Sequence, residues 1–197
     1  MELIRPFGPT ISKATIEDDI YKNLLTITDD LLKNPDRVNM SHTLAGQIKE
    51  QIEVPKSLLI EHGLIDFFEF YLDTFLSNLG IDYSKSIKLG PVWLNSMYKH
   101  EWNPPHIHNG FLSTILILKL PDLPPKQGEL TFINNSGRTA FELEAGLIDY
   151  TPQEKDFFMF PARLNHSVSP FTCEGERRTM SFNVFLQGSP IFGNDQL

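Results

Sequence analysis

From Ile16 the chain places apolar residues at Ile20, Leu24, Ile27 and Leu31, the three-to-four spacing that gives a helix one greasy face. Thr15 precedes Glu17 and Asp18, so it reads as an N-cap with acids in the first turn. Asn34-Pro35 closes the pattern, because proline cannot continue a helix. A second, more apolar stretch runs from Ser57 to Leu79. Leu58, Leu64, Ile65, Phe68, Leu72, Phe75 and Leu79 fall on one side, with Gly80 as the stop; this predicts a helix that covers the face of a sheet.

From Lys88 onward the period changes. Short β-branched and aromatic runs are punctuated by Pro, Gly and Asn, which predicts strands of an antiparallel sandwich or barrel. The expected strands are Val92–Tyr98, Gly110–Leu120, Glu129–Ile133, Ala140–Leu143, Leu147–Tyr150, Asp156–Phe160, His166–Ser169 and Arg177–Leu186. That number suits a jelly roll, a double-stranded β-helix of two packed sheets, mainly β with N-terminal helices packed on one sheet. At 197 residues a single core is sufficient. We therefore expect one domain over 1–197, with a mainly helical part at 1–87 and the jelly-roll core at 88–197.

Charge and composition narrow the partners. A formal charge of −8 repels a phosphate backbone, and Arg177-Arg178 makes no basic patch by itself, so nucleic acid is not an expected partner. The sequence shows neither a signal-peptide pattern nor an apolar run long enough for a bilayer. A cytoplasmic protein without membrane contact is expected. One cysteine, Cys173, excludes an internal disulfide and a cysteine-based zinc cluster.

The chemistry concentrates in histidine. Residues i and i+2 of a strand share a face, so His106 and His108 can aim two imidazoles at one point, and His166 from another strand supplies a third nitrogen. A lone histidine in a strand is ordinarily a surface or hydrogen-bonded core residue, and His42, His62 and His100 do not rise above that.

With those residues in view, Trp93 to Phe185 resembles the catalytic core of the Fe(II)- and 2-oxoglutarate-dependent oxygenases. It is similar in particular to small bacterial and phage members related to prolyl 4-hydroxylases. The carrying motifs are His106-Ile107-His108, Leu112-Ser113, Thr151-Pro152-Gln153-Glu154-Lys155-Asp156, Phe160-Pro161, His166-Ser167-Val168-Ser169-Pro170 and Arg177-Arg178-Thr179, in that order. The resemblance implies iron held by His106, His108 and His166, with 2-oxoglutarate and O₂ as cosubstrates. It implies an enzyme that hydroxylates an unactivated C–H bond in a small molecule or a peptidyl residue such as proline. Most of the superfamily has an acid where this chain has His108; Glu101 and Glu129 are the nearest acids in sequence, and three histidines are preferred. Such a set also suits zinc.

A dicarboxylate needs a cation at its far end, and the Arg fork fits a carboxylate. On a strand beginning at Arg177, alternation puts Arg177, Thr179, Ser181 and Asn183 on one face, and Arg178, Met180, Phe182 and Val184 on the other. The polar set should face the cavity, with Arg177 and Thr179 holding the cosubstrate and Arg178 near the solvent end. Asn95 and Ser113 are further cosubstrate-pocket candidates, while Trp93 is expected mainly in the core and Tyr98 in a mixed role. Two rivals stand beside this reading: a cupin-like three-histidine dioxygenase without 2-oxoglutarate, and a non-catalytic metal-binding β-sandwich module. A homodimer would cover the edge strands of such a fold.

Overall fold

A computed structural model of the chain describes residues 1–4, 8–43, 47–81, 87–134 and 146–186. Among these it forms two antiparallel sheets. The strands are β1 Glu2–Ile4, β2 Ile11–Thr15, β3 Glu50–Val54, β4 Ile87–Met97, β5 Asn103–His106, β6 Leu112–Lys119, β7 Leu130–Ile133, β8 Leu147–Tyr150, β9 Asp156–Pro161, β10 Asn165–Val168 and β11 Arg177–Leu186. The helices are α1 Asp18–Lys33, α2 Lys56–Glu61 and α3 Leu64–Asn78. The larger sheet has the order β1-β2-β9-β6-β11-β4-β3 and the smaller one β5-β10-β7-β8. This is the expected jelly roll with helices on one sheet. The predicted strand Ala140–Leu143 lies outside the described residues.

The larger sheet is buried on both faces and separates two cores. Its outer face carries Leu94, Leu116, Met180 and Phe182, which pack with Leu24, Phe68, Leu72 and Phe75 of α1 and α3; the Phe68 and Phe182 rings lie 4.5 Å apart. Its inner face carries Met97, Ile115, Ile117, Phe158 and Phe160, which meet Leu130, Phe132 and Val168 of the smaller sheet. That two-sided burial explains why β6 reads as the continuous run Leu112–Lys119 rather than an alternation.

Three local expectations are corrected. Helix α1 starts at Asp18 with Glu17 as its N-cap, and no side chain caps it; Thr15 instead ends β2, opposite Asp156 of β9. The apolar stretch 57–79 is two helices, because Gly63 sits at φ +63° between them, a conformation that glycine adopts without strain. Strands β1, β2, β3 and β5 were not anticipated. The first three come from the segment read as mainly helical, and they extend the larger sheet at both ends.

Arg178 is the largest departure. It is buried, not at a solvent end, because β11 continues under α1. Its Nε and Nη2 form a fork on Glu176 at 2.6 and 2.7 Å, and its Nη1 reaches Thr28 Oγ1 at 2.9 Å and Asp29 at 2.7 Å on α1. Ser96 Oγ donates to Glu176 at 2.7 Å, and Lys119 lies 3.2 Å from the same carboxylate. Burial alone would raise Glu176, but the hydrogen bonds from Arg178 and Ser96 outweigh it and hold the carboxyl below its ordinary value. The Arg178 hydrogen bond likewise lowers Asp29.

Replacing Arg178 by Met should cost about 3 kcal/mol near neutral pH, because it leaves the Glu176 carboxylate buried without its fork. Folded-state values below the unfolded ones mean stabilisation that is present above the unfolded carboxylate range and lost as pH falls through the depressed values. Urea unfolding of both proteins should therefore show the gap closing as pH falls below the ordinary carboxylate range. A gap that persists in acid contradicts the assignment.

Candidate metal centre

Strands β5 and β10 run side by side with His106 opposite His166. Strand β5 ends at His106, so the same-face argument for His108 fails: His108 lies in the turn that follows, and its backbone N–H bonds to the Ala162 carbonyl at 2.9 Å. Gly110, at φ +118°, lies two residues further on and passes so close to the Val184 carbonyl that a Cβ would sit 2.9 Å from it. The chain thus folds back over β11 at this point, and His108 comes round beside the other two rings.

One nitrogen from each of His106, His108 and His166 falls within 4.8 Å of the others. Ring centroids are 4.3 Å apart for His106 and His166, 4.8 Å for His106 and His108, and 5.1 Å for His108 and His166. The Nδ1 of His106 is 2.7 Å from the Pro104 carbonyl, and that of His166 is 3.0 Å from the Leu164 carbonyl. A carbonyl can only accept, so both Nδ1 atoms carry the proton and both Nε2 atoms offer a lone pair. Burial depresses all three basicities, with mutual repulsion adding to the effect at His108, which is lowered to about 4. The imidazoles are therefore neutral at physiological pH, the form that ligates a metal.

The cavity holding this triad is lined on the larger sheet by Gln51 of β3, Trp93 and Asn95 of β4, and Arg177, Thr179 and Ser181 of β11. Alternation on β11 therefore put the correct face inward. Asn183, further along that face, accepts from Ser113 Oγ at 2.6 Å, and Ser113 does not line the cavity with the histidines. Trp93 is only half-buried, with its ring 5.6 Å from His108, so it is a cavity wall rather than core. Tyr98 is exposed. Neither Glu101 nor Glu129 joins the triad: Glu101 accepts from the Tyr98 backbone, and Glu129 lies against Thr151.

Arg177 is 1% exposed, and its Nε donates to the Gly128 carbonyl at 3.2 Å. Its Nη2 is buried with no hydrogen-bond partner. Burial without a facing acid depresses even this guanidinium, to about 10. An orphaned donor of this kind calls for an anion that the cavity can admit. The donor set therefore fits a divalent metal at one end and a carboxylate at the other.

Gln51 is a cavity residue that the sequence reading did not assign. The Ile52-Glu53-Val54 alternation before Pro55 carried a strand signal that would have put Gln51 on the face opposite Ile52.

The double-stranded β-helix thus encloses three convergent imidazoles and a buried guanidinium with an unpaired Nη2. Residues 91–183 match the family model described as "Putative 2OG-Fe(II) oxygenase". Among curated proteins no sequence matches the chain. The fold is that of a Pseudomonas putida prolyl-4-hydroxylase, at 13% identity and a TM-score of 0.61 over 90% of this chain and 91% of that one. It is also that of a prolyl hydroxylase from Trichoplax adhaerens in complex with a peptide fragment of hypoxia inducible factor, at 13% identity and 0.63 over 89% and 83%. HygX from Streptomyces hygroscopicus, with nickel, 2-oxoglutarate and hygromycin B bound, shares it at 12% identity and 0.60 over 96% and 86%. The match over residues 91–183 indicates a 2OG-Fe(II) oxygenase and implies Fe(II) as cofactor with 2-oxoglutarate and O₂ as cosubstrates. No helix among the described residues is long and apolar enough to cross a membrane.

The protein should take up one divalent ion per chain, measured by metal analysis after dialysis. His166→Ala should weaken uptake by more than ~100-fold, beyond the 10–100-fold that loss of an outer-shell partner costs. Unchanged uptake would place the metal elsewhere.

Proposed function

We propose that His106, His108 and His166 hold Fe(II), that Arg177 and Thr179 hold the distal carboxylate of 2-oxoglutarate with Asn95 beside them, and that the chain hydroxylates an amino-acid side chain, free or peptidyl, with proline as the first candidate. Within this reading residues 1–197 act as one domain. The observation that carries it is the orphaned Nη2 of buried Arg177, which shares its cavity with the triad. A non-catalytic module has no use for a desolvated guanidinium, and a dioxygenase that binds no oxo acid has none either. Prolyl hydroxylases share the fold, and one of them is complexed with a peptide; HygX, with hygromycin B bound, keeps a small-molecule substrate open.

Iron, held by His106, His108 and His166, would supply O₂ activation coupled to oxidative decarboxylation of the oxo acid. This chain's own residues do the rest. Three neutral imidazoles would hold the metal through their lone pairs, and the rest of the cavity would admit exchangeable ligands. The Arg177 fork sets how deep the oxo acid lies, so its 2-oxo end is aimed at the triad by a bond made at the other end. Trp93 closes the wall beside His108 and keeps water from that side of the centre. Ser113, a cosubstrate candidate from sequence, is committed to Asn183 and plays no direct part in this arrangement.

Anaerobic addition of 2-oxoglutarate to the Fe(II)-loaded protein should develop the visible charge-transfer band of the chelate, and oxygenation should release succinate. Absence of both sinks the proposal. Arg177→Met separates binding from folding: it removes an unpaired buried charge, so stability without ligands should stay level or rise by about 1–3 kcal/mol, while 2-oxoglutarate binding weakens by about 2–5 kcal/mol. Marked destabilisation with unaltered binding would make Arg177 a structural residue. His108→Asp tests the third ligand. Retained or improved turnover supports the alignment of residue 108 with the family's carboxylate position, whereas loss of metal with no rescue points to a three-histidine centre.

A further inference from the structure

Strand β3 lies outside the matched residues 91–183, yet it sends Gln51 into the cavity. Gln51 Nε2 donates to Asn95 Oδ1 at 3.2 Å, and both residues are buried, 9% and 8% exposed. The backbone of Gln51 is clamped from outside the sheet. Its carbonyl accepts from Met40 N–H at 2.7 Å, and its N–H donates to Asn39 Oδ1 at 3.3 Å. In register, Gln51 stands opposite Asn95, and Asn95 opposite Thr179. The three form one row across β3, β4 and β11, on the face that also carries Arg177.

An asparagine amide has an acceptor end and a donor end, and rotation by half a turn exchanges them. An anion facing the amide is attracted by one end and repelled by the other. Gln51, donating to Oδ1, fixes that choice and leaves Nδ2 as the end for the cavity.

We propose that Gln51 is a positioning residue for the cosubstrate: it acts through Asn95, locking the amide with its N–H₂ toward bound 2-oxoglutarate beside Thr179 and Arg177. The inference rests on the 2-oxoglutarate reading above. It extends the cosubstrate pocket to a strand that the matched segment does not contain. Gln51 itself touches no reacting atom.

The test is a double-mutant cycle read as 2-oxoglutarate affinity of the metal-loaded protein under anaerobic conditions, by calorimetry and by the charge-transfer band. Gln51→Leu should weaken binding by about tenfold, as expected when a hydrogen bond to a charged group is lost. In an Asn95→Leu background the same change should have less than a twofold effect, with metal affinity level throughout. Equal losses in both backgrounds, or no loss in either, overturn the proposal. If Gln51→Leu does not fold, Gln51→Glu keeps the volume. Its carboxylate accepts from Nδ2 and turns Oδ1 inward, so binding should fall by more than tenfold, and by clearly less in the Asn95→Leu background, where only its charge remains. Equal falls in the two backgrounds overturn it too. A wild-type protein that binds metal but not 2-oxoglutarate overturns the functional reading and this inference together, whereas wild-type binding with an additive cycle overturns this inference alone.

Discussion

A guanidinium taken out of water without a counter-charge carries a penalty of several kcal/mol. Arg177 is such a group, fully buried, with one backbone carbonyl as its hydrogen-bond partner and Nη2 left over. Its neighbour Arg178 is equally buried but meets Glu176, Asp29 and Thr28. One strand therefore presents a satisfied cation to the helices and an unsatisfied one to the cavity. Glu176 stands one residue before Arg177, yet it is spent on Arg178, Ser96 and Lys119. That commitment keeps the nearest acid in sequence from neutralising the cation that faces the cavity.

The triad shows the same division between groups fixed by the protein and groups left open. Pro104 and Leu164 carbonyls take the outward nitrogens of His106 and His166, so the inward ones have no competing partner. Phe160 packs edge-on against His166 with centroids 4.8 Å apart, and Phe132 flanks it at 6.4 Å. Those rings lower the local dielectric, which keeps the imidazoles neutral and stiffens their orientation. With three neutral ligands, the charge balance of the proposed complex falls on the cosubstrate: a dianion offsets a divalent metal, and Arg177 leaves one positive charge in excess. A carboxylate at position 108 would remove that excess, so in the proposed complex His108 would tie metal retention more closely to the presence of the oxo acid.

Much of this was legible in the sequence, and the reasons are specific. The polar alternation Arg177, Thr179, Ser181 survives in β11 because one face meets a wet cavity and the other meets α3, so period 2 reports the environment directly. His106 and His166 were recognisable from motif order. His108 was found for a partly wrong reason, since a turn places it and not a strand. Arg178 was misread because its partners on α1 lie about 150 positions away in sequence, at Thr28 and Asp29, and no local pattern announces a buried ion pair of that span. The two-residue break at Gly63 was hidden by apolar residues that continue at helical spacing on either side of it.

The N-terminal strands show why the region matching the family model does not complete the site. The matched stretch starts at Pro91, within β4, so β4 would be an edge strand without β3, with its ladder groups unpaired. β3 covers that edge from Glu50 to Val54 and is itself partly covered by the bridge from Asn39 to Ile52. Edge protection needs only a backbone, and a lysine or proline on the free side would serve it. A buried glutamine pointing inward is not required for that task, and an unpaired amide there would cost stability. Its partner is Asn95 on the neighbouring strand, so edge protection and amide orientation meet in one residue. Replacing Gln51 should therefore disturb the cavity while the β3–β4 ladder stays intact.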